Sequence, residues 1–102
     1  MDPVTVTFHD TFSGEIINHP VRGIYCQHYQ CFDLRNYIEL MFFSRAREWK
    51  CPYCKKDARK LIIDKYQLSL ISELKKSDLF PKKLMFFRNG KIDYQYLEAA
   101  EL

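Results

Sequence analysis

Apolar and polar residues change period along the chain, and each change marks an element. Val4-Thr5-Val6-Thr7-Phe8 alternates apolar with hydroxyl side chains, the period of two expected of an opening strand. Asp10 to Gly14 reads as a turn, because Asp and Ser bond nearby backbone amides and Gly tolerates positive φ. Ile16-Ile17 resumes extended structure, and Val21 to Tyr25, held out of a helix by His19-Pro20, predicts a second short strand. Asp33 is placed to N-cap a helix in which Leu34, Tyr37, Ile38, Met41 and Phe42 form one buried stripe, with Arg35, Asn36 and Glu39 on the other face. Ser44 to Glu48 is a polar loop, and Trp49 brings the chain back to the core. Leu61-Ile62-Ile63-Asp64 predicts a short buried strand, and Tyr66, Leu70, Ile71 and Leu74 give a second, shorter helical stripe. Lys83 to Tyr96 reads as a hairpin turning through Asn89-Gly90, the signature of a type I′ turn, and residues 98–102 read as a tail. Strands and helices in this order predict a small α+β fold.

At 102 residues and 47% apolar content the chain suits one small domain. Such a chain buries roughly 60–68% of its unfolded surface, so a structural metal would add much to its stability. No apolar run approaches the roughly 18–20 residues of a membrane span. Four cysteines without a signal-peptide pattern are expected of a reducing compartment, where metal binding is the commoner use of cysteine. The net charge of +3 and the pairs Lys55-Lys56, Arg59-Lys60, Lys75-Lys76 and Lys82-Lys83 fit a weak attraction to nucleic acid or acidic proteins; solvated lysines are the plainer account.

Cys26-Gln27-His28 and Cys51-Pro52-Tyr53-Cys54 bracket the first helix. Zinc takes four tetrahedral nitrogen or sulfur donors, and a pair one to three residues apart lets one turn supply two of them. His9 and His19 have no such spacing. Three other readings use the same residues. Cys-Pro-Tyr-Cys is also a thiol-disulfide motif resembling that of glutaredoxins, although it lacks a preceding βαβ strand and leaves Cys26 and His28 idle. Cys31 could be a nucleophile with His28 as base, or a buried inert thiol beside Phe32. A DNA-reading finger of two Cys and two His would need the reverse ligand order and a basic helix face.

Pro20-Val21-Arg22-Gly23, Cys26-x-His28-x-x-Cys31-Phe32-Asp33-Leu34, Trp49-x-Cys51-Pro52-x-Cys54 and Leu61-Ile62-Ile63-Asp64 together resemble the SP-RING, or Miz-type, zinc finger of the PIAS/Siz family of SUMO ligases. The resemblance implies a small RING/U-box-like zinc-binding domain, a ββα core with one zinc, over residues 4–64. A C-terminal helix and β-hairpin over 65–97 would extend the same domain. By similarity the single zinc falls to Cys26, His28, Cys51 and Cys54. The positions of a RING's second zinc fall on Asp10, Ser13, Cys31 and Leu34, where leucine has no donor and serine is a poor ligand, so that lobe is expected to be metal-free. The aspartate at position 10 resembles the metal-free U-box arrangement.

RING-type ligases carry no nucleophile; they orient a modifier already loaded on its conjugating enzyme. The resemblance therefore implies a SUMO E3 ligase (SUMO transferase) that binds the SUMO-conjugating enzyme (E2) and SUMO, acts on protein lysines in the nucleus, and has no catalytic residue of its own. The matching E2 contacts are Phe12, Ile38, Pro52 and Tyr53. Lys55 or Lys56 is placed where some RING ligases touch the modifier. Leu61 to Asp64 has the look of a SUMO-interacting motif, but in the family it is a core strand. The alternatives are a non-catalytic interaction module of a chromatin or transcription complex, and a ubiquitin ligase. Neither sequence-specific DNA binding nor a membrane is implied.

Overall fold

A computed structural model of the chain describes residues 3–96. The elements in chain order are β1 (Val4–Val6), β2 (Pro20–Gly23), β3 (Phe32–Asp33), α1 (Leu34–Phe43), β4 (Leu61–Ile63), α2 (Lys65–Leu74), β5 (Lys83–Phe86) and β6 (Ile92–Gln95). The tail at 98–102 lies outside the described residues. No described helix is long and apolar enough to cross a membrane.

The strands form two three-stranded antiparallel sheets, ordered β1-β5-β6 and β3-β2-β4. Each sheet has its own core. Val6, Phe8, Ile17, Ile71 and Leu84 are buried together, with Leu70, Leu74, Phe80 and Phe86 against them. This is the α2 and hairpin lobe. Val21, Phe32, Tyr37, Cys51 and Ala58 form the second cluster, joined by Phe12, Leu34, Met41, Trp49 and the partly buried Cys26 and Cys54. Gly23 closes the second lobe: a Cβ there would stand 3.2 Å from the Asp57 carbonyl and 3.3 Å from Ala58. Any larger residue would press the returning loop back by a few tenths of an ångström.

The first helix starts at the cap the sequence predicts, and the second at an aspartate that the sequence pattern places at the end of a strand. Asp33 adopts an extended conformation and its side chain accepts from Asn36 N, while Asp64 does the same for Gln67 N at the head of α2. The Asp33 carboxylate also accepts from the amides of Asn18 (2.9 Å) and His19 (3.1 Å), so one side chain caps a helix and anchors the strand leading into β2.

Three expectations change. The predicted stripe on α1 is narrower than five residues: Tyr37 is buried and Leu34 and Met41 half-buried, whereas Ile38 is 41% and Phe42 69% exposed. Periodicity reports a width that only a second packing layer would use, and no described element covers that flank. β4 is an edge strand, and its Ile62 and Ile63 are exposed rather than buried. A short apolar run looks the same in a central and an edge position. The hairpin does not turn by type I′, which needs positive φ at both central residues. Gly90 has φ +89° but Asn89 does not. Gly90 N donates to Phe87 O at 3.0 Å and Phe87 N to Lys91 O at 2.9 Å, as in a type I turn followed by a glycine bulge.

Ile71 is the α2 side chain at the centre of the first cluster, 1% exposed. Ile71→Ala is expected to lower stability by about 2–5 kcal/mol in urea unfolding. A loss below about 1 kcal/mol would show that this lobe contributes little to global stability.

Candidate metal centre

The second cluster is organised by aromatic contacts before any metal is considered. Tyr37 projects from α1 between Phe32 (ring centroids 4.8 Å apart) and Trp49 (5.8 Å), and Phe12 from the first turn reaches both Phe32 (6.2 Å) and Tyr37 (6.1 Å). The Tyr37 hydroxyl lies 3.2 Å from the Lys50 carbonyl and 3.4 Å from that of Ala58, which grips the two arms of the Cys51 loop. Burial pushes this phenol up to about 12, so it stays a neutral donor. Ala58 N to Trp49 O (2.8 Å) and Cys51 N to Lys56 O (2.9 Å) then hold the arms together.

On this scaffold Cys26, His28, Cys51 and Cys54 converge, with donor atoms all within 4.8 Å of one another. A tetrahedral ion with bonds of about 2.0–2.3 Å separates its ligand atoms by roughly 3.3–3.8 Å. His28 Nε2 stands 3.3 Å from Cys51 Sγ, and Cys54 Sγ stands 3.6 Å from Cys26 Sγ. The residues fit one zinc. Their support fits as well. His28 Nδ1 is 2.9 Å from the Gln30 carbonyl, which as acceptor fixes the proton on Nδ1 and leaves the Nε2 lone pair for the metal. The Tyr53 amide donates to Cys51 Sγ at 3.3 Å and holds that sulfur in place. Lys55, at φ +64°, ends the knuckle, and its amide donates to the Cys51 carbonyl. Without a cation, burial pushes the Cys26 thiol up to about 12, the neighbouring Cys54 and Cys51 adding to the rise. A divalent ion reverses that preference, because it binds the thiolate.

The opposite loop is built without a metal. Asp10 is 2% exposed, and its carboxylate gathers the amides of Asp33 (2.8 Å), Phe12 (3.2 Å) and Ser13 (3.2 Å), the Ser13 hydroxyl (3.4 Å) and the Asn36 side-chain amide (3.0 Å). Asn36 also donates to Ser13 Oγ at 3.1 Å. Leu34 packs against the aromatic cluster. The structure brings Asp10 and Ser13 together and turns Cys31 elsewhere. Its buried thiol accepts from Arg22 at 3.3 Å, and Arg22 in turn pairs with Asp64 at 2.6 Å. Burial pushes Cys31 up to about 11, only partly offset by Arg22, so it is no nucleophile near neutral pH. His28, committed to the other centre, has no described contact with it. The residue that sequence reasoning missed is Asn36, assigned to the outer face. The signal was present: it stands three residues after the Asp33 cap, so it lies on the first turn beside the Asp10 loop.

The remaining positions surround these two centres. Tyr53 is 40% exposed and lies edge-on to His28 (5.7 Å); burial raises its phenol, and the Thr11 side chain opposes that rise. The metal loop thus touches the first turn. Phe12 and Pro52 are half-buried, and Ile38 faces solvent from α1. Lys55 and Lys56 fold back onto the carbonyls of Pro52 (3.1 Å) and Tyr25 (3.4 Å).

The family model described as "MIZ/SP-RING zinc finger" matches residues 7–57, from the strand before Asp10 to the end of the metal knuckle. The chain belongs to the MIZ/SP-RING zinc fingers. Among curated relatives it is 39% identical over 64 residues to human zinc finger MIZ domain-containing protein 2, covering 61% of this chain and 7% of that protein. It is 32% identical over 79 residues to the E3 SUMO-protein ligase gei-17 of Caenorhabditis elegans (76% of this chain, 10% of that protein). The third, at 37% over 68 residues, is the E3 SUMO-protein ligase SIZ1 of Arabidopsis thaliana (65% of this chain, 8% of that protein). The chain therefore spans a tenth or less of the length of these relatives. Among solved structures, the S. cerevisiae SUMO E3 ligase SIZ1 superimposes with a TM-score of 0.75 at 20% identity, covering 90% of this chain and 32% of that one. That likeness shows the fold and extends it past the family match, through α2 and the hairpin. In a chain of the MIZ/SP-RING zinc-finger family, the four converging donors form a Cys/His group that can hold one metal ion, and the redox motif that Cys51 and Cys54 also spell falls within that group.

Native mass spectrometry is expected to find one zinc per chain. Stripping it with a chelator should red-shift the emission of Trp49, the sole tryptophan, as the aromatic cluster opens. Two bound ions, or an unmoved spectrum, would contradict this account. Asn36→Ala leaves the Asp10 carboxylate one donor short inside the fold, at a cost of about 1–3 kcal/mol in urea unfolding with the zinc content unchanged.

Proposed function

We propose that this chain is a SUMO E3 ligase module that binds the SUMO-loaded conjugating enzyme and promotes transfer of SUMO to a substrate lysine without a covalent intermediate of its own. The observation that carries this reading is the junction of the two loops. The Thr11 side chain of the metal-free turn acts on the Tyr53 phenol of the zinc knuckle, so the two loops adjoin: Tyr53 is exposed beside the half-buried Pro52, Phe12 follows Thr11 in the turn, and Ile38 is exposed on α1. The names of the relatives gei-17 and SIZ1 supply the modifier.

The chain's own chemistry is restrained. Cys31 is buried with its thiol raised, and the other cysteines are committed to zinc. No free thiolate is available to take the modifier. In the proposed reaction the lysine amine attacks the thioester carbonyl on the conjugating enzyme. The isopeptide bond forms as the enzyme's cysteine leaves as thiolate, and the amine's proton passes to solvent or a base of the conjugating enzyme. This domain contributes orientation, which alone can change a rate by orders of magnitude. A zinc-braced loop and a hydrogen-bonded turn, fixed to each other, hold such a contact surface still.

A single-turnover assay checks this: SUMO preloaded on its conjugating enzyme is mixed with excess free lysine, and the discharge rate is read with and without this chain. Acceleration is expected, with Tyr53→Ala and Ile38→Ala each losing about tenfold while retaining zinc, the loss typical of a central interface residue. Binding without acceleration would mean a non-catalytic interaction module. Acceleration only with a ubiquitin-conjugating enzyme would reassign the modifier.

A further inference from the structure

A cavity of about 560 Å3 lies away from the zinc site, between the head of α2 and the end of the β1-β5-β6 sheet. This volume is within the range of about 300–1,000 Å3 found for ligand sites. Its apolar walls are Val4, Tyr66, Phe86 and Phe87, with Tyr66 and Phe86 rings 6.2 Å apart. Tyr66 is 60% exposed although it begins the apolar stripe of α2.

Two unfilled polar positions and one uncompensated charge lie at or beside this cavity, whose wall includes Val4, the neighbour of Thr5. The first is the free edge of β1. Phe87 N donates to Lys91 O, so in the register of the hairpin Met85 and Lys83 turn their backbone groups to β6, while Leu84 and Phe86 turn theirs to Val6 and Val4 of β1. The N–H and C=O of Thr5 therefore point away from the sheet, and no described residue pairs with them. Two residues on, Thr7 also points outward, and there the Gln30 side chain takes both groups: Thr7 N to Gln30 Oε1 at 2.9 Å and Gln30 Nε2 to Thr7 O at 2.8 Å. A side-chain amide thus stands where a neighbouring strand's peptide group would, and the adjoining place beside Thr5 is open. Tyr29, next to Gln30, lines the cavity.

The second is Gln67. This residue is 3% exposed and lines the cavity. Its Nε2 donates to the Tyr29 carbonyl at 2.7 Å, which fixes the orientation of the amide, and its buried Oε1 has no donor among the described residues. Such an acceptor costs free energy that an incoming N–H would recover. The third is charge. Arg22 is neutralised by Asp64, but Arg88, also on the wall, has no described acidic partner. The site carries an uncompensated positive charge.

We propose that this edge and cavity bind an extended acidic peptide of a partner protein. The peptide adds as a strand beside Thr5, places an apolar side chain between Tyr66 and Phe86, donates to Gln67 Oε1, and pairs an aspartate or glutamate with Arg88. Main-chain pairing supplies affinity, and the cavity and Arg88 supply selectivity. None of these residues belongs to the surface proposed for the conjugating enzyme, so the two readings stand or fall separately.

The probe is a fluorescein-labelled octapeptide alternating valine with aspartate and carrying one central phenylalanine, titrated into the zinc-loaded full chain and read by anisotropy. Saturable binding is expected, weakened about tenfold or more by Arg88→Glu, an exposed turn substitution that leaves the core untouched, and by replacing the aspartates with lysine. Amide exchange at Thr5 should slow on peptide addition. Absence of binding, equal binding of the lysine peptide, or an unchanged Thr5 amide would overturn the proposal. Concentration-dependent dimerisation of the chain alone, abolished by Arg88→Glu, would assign the edge to a second copy and overturn it as well.

Discussion

The structure depends on one cross-link that no local interaction could replace. Cys26 and His28 come from the segment after β2, Cys51 and Cys54 from the loop after α1, and their donors meet within 4.8 Å. A metal there closes the chain around α1 and fixes both ends of the second lobe in one step. It is not a graft on a finished core: Cys51 is fully buried and belongs to the same cluster as Tyr37 and Phe32. A structural zinc contributes roughly 10–16 kcal/mol of apparent binding energy, comparable to the whole stability of a small domain. The aromatic cluster and the metal centre are therefore one cooperative unit. Removing either exposes the other.

The metal-free turn solves the same geometric problem with different chemistry. A zinc gathers four anionic or lone-pair donors; the Asp10 carboxylate gathers hydrogen-bond donors, and its partners come from its own turn, from the Asp33 amide and from Asn36 on α1. Both arrangements tie a loop to the same helix. They differ in what can undo them. Chelation attacks the first directly, whereas losing one donor from a buried carboxylate weakens the second without removing a metal ligand.

Reading the sequence alone recovered most of what local chemistry dictates. Asp33 and Asp64 precede helices because an aspartate before an apolar-periodic run is a cap wherever it occurs, and only the first was assigned. The convergence of Cys26, His28, Cys51 and Cys54 was legible because ligand spacing is a local constraint. Sheet order was not, since Leu61-Ile62-Ile63 carries the same apolar signal at an edge as at a centre. The turn at Asn89-Gly90 was misread because one glycine at φ +89° serves both a type I′ turn and a bulge. Asn36 was missed because its role is tertiary: nothing adjacent says that a loop 23 residues earlier will bring Ser13 to it. Cys31 shows the converse, since a position that would be a ligand in a two-zinc RING is here committed to Arg22.

What remains exposed follows from that division of labour. The second lobe spends its polar groups on holding loops, and its apolar side chains at Ile38 and Tyr53 stay partly in water, Tyr53 on the knuckle where it meets the turn and Ile38 on α1. A domain this small buries a limited fraction of its surface, so scattered exposed apolar groups alone carry little meaning. Tyr53 lies on one of the two loops the fold spends most to immobilise, and Ile38 on the helix between the metal-binding segments. Rigid loops with apolar tips suit a contact surface, because a pre-formed surface loses little conformational freedom on binding. The same reasoning separates this region from the edge at Thr5. There the unmet groups are backbone and amide oxygens and nitrogens, which call for a partner's main chain instead of its side chains.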